Sequence, residues 1–287
     1  MKSFIKSTIR GTLHRFFDRI NSSNPFLKTR FSQIETLIRN LDIRVHNLEK
    51  RVHEIDYELR AKPFISDEEM LLTFFEENGS KIGFKSVGKK DFSYADFEHL
   101  YRGPENFILE RMKFYQKFFS QNSKVLDVGC GRGELIRVLK EVGIDASGIE
   151  PDFSMYEIAL SQNLIVENLN WKDKFSQLEA NCLDGIIMIQ VIEHLLPETF
   201  NEFFTESHRI LKPGGKLILE TVNPHSPAAL KTFWLDLTHV RPIFPESIMD
   251  LAIRTRFSFG YVLFPYGNGV WEHDIRNSGE YAAILEK

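Results

Sequence analysis

Asp127-Val-Gly-Cys-Gly-Arg-Gly133 sets an acidic residue and three alternating glycines on the end of the apolar run Lys124-Val-Leu-Asp-Val128. Glycines let backbone approach a ligand closely, and a helix beginning just after them offers unpaired N–H groups. The helical pattern Glu134-Leu-Ile-Arg-Val-Leu-Lys140 follows directly, so strand, glycine-rich turn and helix come in the order of a nucleotide site. Spacing excludes two other readings. A dinucleotide fingerprint wants a third glycine three residues after the second, where this chain has Glu134, and no Gly-Lys-Ser/Thr marks a phosphate loop. Downstream, Glu150 ends the short strand candidate Ala146-Ser-Gly-Ile149, where its carboxylate can accept hydrogen bonds from both hydroxyls of a ribose.

The elements that must position these residues repeat the strand-then-helix alternation. Leu164-Ile-Val166 is a third strand candidate, Asp184-Gly-Ile-Ile-Met-Ile-Gln190 a fourth and Leu217-Ile-Leu-Glu-Thr221 a fifth. Ser258–Phe264 and Glu280–Leu285 read as a closing pair. Alternation of this kind predicts an α/β fold with a doubly wound sheet.

Four segments in this order, Val125-Leu-Asp-Val-Gly-Cys-Gly-Arg-Gly-Glu134, Gly148-Ile-Glu150, Gln190-Val-Ile-Glu-His-Leu195 and Arg209-Ile-Leu-Lys-Pro-Gly-Gly215, resemble the successive motifs of class I S-adenosylmethionine-dependent methyltransferases. The resemblance spans about residues 95–287 and implies a Rossmann-like, seven-stranded sheet with S-adenosylmethionine as cofactor. It implies that Gly129, Gly131 and Gly133, with Cys130 between them, line the methionine and ribose side. Glu150 and the adjoining Pro151 would meet the ribose, Asp127 would hold the loop or the cofactor's amino group, and Gln190 would face the site. Many relatives carry an acidic residue after the third strand for the adenine amine. The comparable place here is Asn170-Trp171, where the asparagine carbonyl would accept that hydrogen bond and Trp171 would cover the base.

Phe97-Glu-His-Leu-Tyr-Arg-Gly103, Glu110-Arg-Met-Lys-Phe-Tyr115, Thr221-Val-Asn-Pro224 and Phe233-Trp-Leu-Asp-Leu-Thr-His-Val-Arg-Pro242 resemble bacterial polysaccharide-modifying methyltransferases of the O-antigen type. By that resemblance Arg102 meets the cofactor carboxylate in a charge-assisted pair, Tyr101 sits near the reacting end, and the acceptor is a glycan. Sugar hydroxyls are poor nucleophiles, so transfer benefits from a base; His194, His239 and Asp236 are the candidates. Alignment alone could supply much of the rate, and a phosphate or carboxylate acceptor needs no base. A small lipophilic acceptor such as a quinone precursor is the alternative, since Glu193-His194 occurs there too, and an assembly scaffold without catalysis is a further one. No metal centre is expected, because His194, Asp236 and His239 make an incomplete ligand set.

Composition frames the rest. A net charge of -4 over 287 residues gives no global reason to expect nucleic acid. The two cysteines, Cys130 and Cys182, and the absence of a run approaching roughly 20 apolar residues point to a cytoplasmic protein, peripheral at the inner membrane if residues 1–20 act as an anchor. Those residues set Ile5, Ile9, Leu13, Phe16 and Ile20 at helical spacing among lysines and arginines, so 1–24 is expected to be a basic amphipathic helix. Such a helix suits an anionic membrane surface or a membrane-associated glycan-assembly partner, or packs on the protein itself. Over 25–63 a parallel coiled coil is expected. Phe31, Ile34, Ile38, Leu41, Val45, Leu48, Val52, Ile55 and Leu59 alternate steps of three and four, placing Glu35, Asp42, Glu49 and Asp56 at e and Arg30, Arg44 and Arg51 at g, where Leu37 and Glu58 are the exceptions. Val45 and Val52 at a with Leu41 and Leu48 at d favour a dimer, while Ile34 and Ile55 at d leave a trimer open. Connecting or cap helices are expected over 64–120, and the methyltransferase domain over 121–287.

Overall fold

The structure is a computed structural model that describes residues 30, 33, 34, 36–48 and 51, the backbone of 73–75 and 81–83, and residues 105–287. It divides into two units, Met1–Ala61 and Lys62–Lys287. The expected basic helix over 1–24, together with Tyr101 and Arg102, lies outside the described residues. In the first unit, 36–48 form helix α1, as the apolar period predicts. Among the described residues, no helix is long and apolar enough to cross a membrane.

The second unit departs from the expected helices over 64–120. Strand β1 (Thr73–Phe75) pairs antiparallel with β2 (Lys81–Gly83). Aromatic and β-branched residues on either side of Asn78-Gly79, a hairpin-turn dipeptide, carried that signal in the sequence. Helix α2 (Glu105–Met112) and the 3-10 turn Lys113–Phe118 are not connectors to the methyltransferase domain but part of it. Ile108, Met112 and Tyr115 are buried with Leu135, Ile136 and Leu139 in one apolar cluster, which moves the domain's start ahead of residue 121.

The main sheet is built from β3 (Lys124–Val128), β4 (Asp145–Ile149), β5 (Val166–Glu167), β6 (Leu183–Ile189), β7 (Leu211–Val222), β8 (Phe259–Leu263) and β9 (Glu280–Glu286). Their spatial order is β5-β4-β3-β6-β7-β9-β8. The first five strands are parallel, and β9 runs antiparallel to both β7 and β8. Strands covered on both faces read as unbroken apolar runs rather than alternations, which is why Ile186-Ile187-Met188 and Leu217-Ile218-Leu219 are wholly buried. Helix α3 (Glu134–Glu141) buries Leu135, Ile136, Val138 and Leu139 and leaves Glu141 exposed.

Two strand boundaries differ from the sequence pattern for local reasons. Leu164, expected in the third strand, packs beneath the glycine loop instead: a Cβ on Gly133 would lie 2.2 Å from its Cδ1. The fifth strand begins early because Leu211 pairs with Leu183 before a register shift around Pro213-Gly-Gly215.

The chain runs from β3 outward to β4 and β5, then returns across β3 to β6. That reversal opens a crevice at the carboxyl ends of β3, β4 and β6, the standard ligand position of doubly wound sheets. Gly148 of β4 allows the loop after β3 to sit there, because an added Cβ would meet Ile136 Cδ1 at 2.6 Å and Cys130 Sγ at 2.7 Å. Gly148→Val is expected to lower unfolding stability by about 1–3 kcal/mol, the usual range for overpacking, measured by urea denaturation; an unchanged midpoint would show that the loop is not held against β4.

Candidate functional site

The loop after β3 turns through left-handed backbone at Gly129 (φ 73°), Gly131 (φ 53°) and Gly133 (φ 85°), so each glycine is required by conformation. Gly129 and Cys130 both donate their N–H to the Ile149 carbonyl, at 2.9 and 3.0 Å. Glu150 completes the tie. Its Oε2 accepts from Gly131 N at 2.8 Å and its Oε1 from Asp152 N at 2.8 Å. Asp152 in turn caps helix α4 (Phe153–Ser161) by accepting from Met155 N, and Asn168 Nδ2 donates to the Glu150 carbonyl at 2.8 Å.

Around this carboxylate lies a cavity of about 440 Å³ whose walls include Gly129, Gly131, Glu150, Pro151, Asn170 and Trp171, a volume typical of small-molecule sites. Gln190, His194 and Thr238 form its other side. The cofactor residues expected from sequence thus converge, with corrections. Cys130 is buried with its sulfur against Gly148, and burial pushes its thiol well up, so the side chain belongs to the loop's packing. Gly133 begins helix α3 and, like the buried Asp127, is not on the cavity wall. Asn170 Oδ1 accepts from Asp173 N as the cap of helix α5 (Trp171–Gln177), and its Nδ2 donates to Asp173, so the cap fixes the side chain at the cavity wall with one lone pair of the carbonyl left over. Trp171 lies edge-on to Phe175 and Phe203 in the core, exposing just one margin to the cavity.

The three candidate bases separate into distinct roles. Thr238, which sequence reading missed, donates its hydroxyl to Asp236 Oδ1 at 2.6 Å and lies 3.0 Å from His194 Nδ1. A carboxylate only accepts, and a hydroxyl has one proton to give. Thr238 therefore accepts from His194 Nδ1–H, and the lone pair of His194 is on Nε2. Burial and the neighbouring His239 lower the His194 pKa, keeping the ring neutral and able to take a proton. His239 is not held by Asp236, as its Nε2 stands 3.7 Å away. It donates from Nδ1 to the Phe233 carbonyl, packs on the Phe233 ring at 4.4 Å, and abuts His194 with centroids 4.7 Å apart. Asp236 and His239 are off the cavity wall; no sequence signal separated them from Thr238.

Two buried carboxyls flank this wall. Glu220 of β7 accepts from Tyr115, lies 3.5 Å from the Tyr266 hydroxyl and is 3.4 Å from Gln190 Nε2, orienting a residue whose backbone is left-handed (φ 54°). Glu193 is fully buried between His194 and the loop that carries Thr238, since Val240 N donates to its carbonyl at 2.9 Å. Glu193, His194 and His239 each bring one ligand-capable atom within 4.8 Å of one another, so Glu193, rather than the Asp236 considered from sequence, is grouped with the histidines. Burial pushes the Glu193 carboxyl up to about 8.

The glycine loop, carboxylate and partly apolar cavity fit a ribose-bearing, adenine-bearing ligand. The family described as methyltransferase domain matches residues 99–255. The chain belongs to the class I S-adenosylmethionine-dependent methyltransferases. The methyltransferase is 32% identical over 108 residues to the mitochondrial ubiquinone biosynthesis O-methyltransferase of Rattus norvegicus, covering 35% of this chain and 31% of that one. It is 28% identical over 150 residues to the Coxiella burnetii ubiquinone biosynthesis O-methyltransferase, covering 50% and 62%. The chain therefore spans from about a third to three-fifths of the curated relatives it matches. A solved S-adenosylmethionine-dependent methyltransferase of Archaeoglobus fulgidus superposes with a TM-score of 0.62 at 26% identity, over 68% of this chain and 99% of that one. S-adenosylmethionine is the cofactor of that family.

Glu150→Gln is expected to weaken S-adenosylmethionine binding by about 10- to 100-fold, the effect of losing hydrogen bonds to a charged group, read by calorimetry; undiminished affinity would remove Glu150 from the ribose site. Glu193 generates a pH prediction. Its folded pKa lies above the ordinary 4.5, so between about 4.5 and 8 the folded protein keeps a proton that the unfolded chain has released, and stability falls as pH rises through that window. Denaturation of Glu193→Gln across that range should show the decline removed; an identical slope would contradict a protonated Glu193.

Proposed function

We propose that the methyltransferase methylates a hydroxyl, with His194 Nε2 receiving the hydroxyl proton, and that the hydroxyl belongs to a sugar of a bacterial surface polysaccharide. The observation carrying the reading is the Asp236–Thr238–His194 hydrogen-bond chain beside the cofactor cavity. Bound in that cavity, S-adenosylmethionine supplies a methyl group activated by its sulfonium. Glu150 and the glycine loop would hold it, and Tyr101 and Arg102, outside the described residues, are proposed to meet its methionine end. Asp236 stabilises the charge that His194 acquires, acting through Thr238, and Phe233 and His239 hold the imidazole in place.

The glycan acceptor is supported by the same segment, because Phe233–Pro242 both arms His194 and resembles polysaccharide-modifying enzymes. Trp234, Leu235 and Leu237 stand exposed in the segment that carries Thr238, and the aromatic face of Trp234 suits stacking against a sugar ring. The basic segment 1–20 would hold the enzyme at the cytoplasmic face of the inner membrane, near lipid-linked chains or their assembly complex. A phenolic, quinone-precursor acceptor is the second reading. It is supported by the names of the rat and Coxiella burnetii relatives and by the low basicity of His194, which matches an acidic phenol better than a sugar hydroxyl.

His194→Ala should lower kcat by about 10²–10⁴-fold, the usual contribution of a general base, with cofactor affinity unchanged. Thr238→Val should lower kcat and Thr238→Ser should restore it; activity indifferent to all three would sink the base assignment. The acceptor is tested with labelled S-adenosylmethionine in fractionated lysate. Label in polysaccharide that disappears with Glu150→Ala supports the glycan, whereas label confined to small lipids replaces it with the phenolic reading.

A further inference from the structure

We infer that helix α1 pairs in parallel with α1 of a second copy of the chain, joining two methyltransferase units through a two-stranded coiled coil. Ile34 ahead of the helix, and Ile38, Leu41, Val45 and Leu48 within it, are 47–58% exposed, so the described part of the seam is uncovered. They occupy successive a and d positions of one stripe. Leu37, also exposed, lies beside it at g, and among the described apolar residues of the helix Ile43 alone is off it, at f. An isolated helix of this length is marginal in water, and in proteins such helices are stabilised by burying an apolar face. The face here has the 3.5-residue period that a supercoiled partner covers, rather than the broader stripe of a helix lying on a globular body.

Charge selects the partner and its direction. Parallel strands set each g residue against the next e residue of the other chain, giving Arg30 with Glu35, Arg44 with Glu49 and Arg51 with Asp56, each pair opposite in sign. Antiparallel strands set g against g and e against e, placing arginines together and four acids together. The chain is thus complementary to itself in the parallel orientation. Val45 at a between Leu41 and Leu48 at d is the packing that favours two strands. A surface for a different helix would not need both halves of the charge pattern on one chain.

Sedimentation of the full chain at micromolar concentration should give about twice the 33.4 kDa chain mass. Leu41→Asp with Leu48→Asp should return it to a single chain mass while S-adenosylmethionine binding is retained. Arg44→Glu should weaken the dimer at least tenfold, and adding Glu49→Arg should restore it. Val45→Cys, in a Cys182→Ser background, should cross-link to itself with copper phenanthroline, as a–a contacts exist in parallel register; Cys130 is buried. A single-chain mass for the unaltered protein overturns the inference, as does a dimer that survives Leu41→Asp with Leu48→Asp or fails to cross-link at residue 45.

Discussion

The site depends on the Glu150 carboxylate, which holds the two backbone segments that a ligand must lie between. One oxygen fixes Gly131 in the loop after β3, and the other fixes Asp152 at the start of α4. Both bonds are charge-assisted and shielded, so they are stronger than neutral ones. The carboxylate therefore serves the fold before any ligand arrives. Its position follows from β4, whose parallel register with β3 brings Gly148 beside Asp127 and leaves Glu150 just past the strand end. Gly148, lacking a side chain, lets Cys130 and Ile136 close over the strand and set the loop's height.

The opposite wall is organised by acids that could not stand alone in an apolar interior. Glu220 is satisfied by Tyr115 and Tyr266, with Arg111 3.8 Å away and stacked on the Tyr266 ring. It thereby ties the residues before β3 to the strand that ends at the site. Glu193 answers the same constraint differently, by holding its proton. Between the two, Gln190 accepts a strained backbone conformation at the cavity wall, as residues at functional sites often do.

Aiming of His194 is a tertiary event. The ring comes from the turn after β6, whereas the hydroxyl that sets its tautomer comes from a segment 44 residues later. That segment is docked by the Val240 bond to the Glu193 carbonyl and by the packing of His239 on Phe233.

The sequence by itself determined the sheet, the cofactor loop and Glu150. These are encoded locally: apolar runs at strand length, glycines where left-handed backbone is needed, and a carboxylate at a strand end. Helix α1 was equally legible from its apolar period. The antiparallel β1–β2 pair and the inclusion of 105–118 in the domain were not read, because three-residue strands left Asn78-Gly79 as their main signal and Tyr115 finds its partner 105 residues away. Only the tertiary structure decided that Cys130 packs inward, that Asn170 caps a helix at the cavity wall, and that Thr238 stands between Asp236 and His194. Each of those outcomes rests on which neighbour the fold brings within reach of a side chain, and spacing along the chain does not specify that.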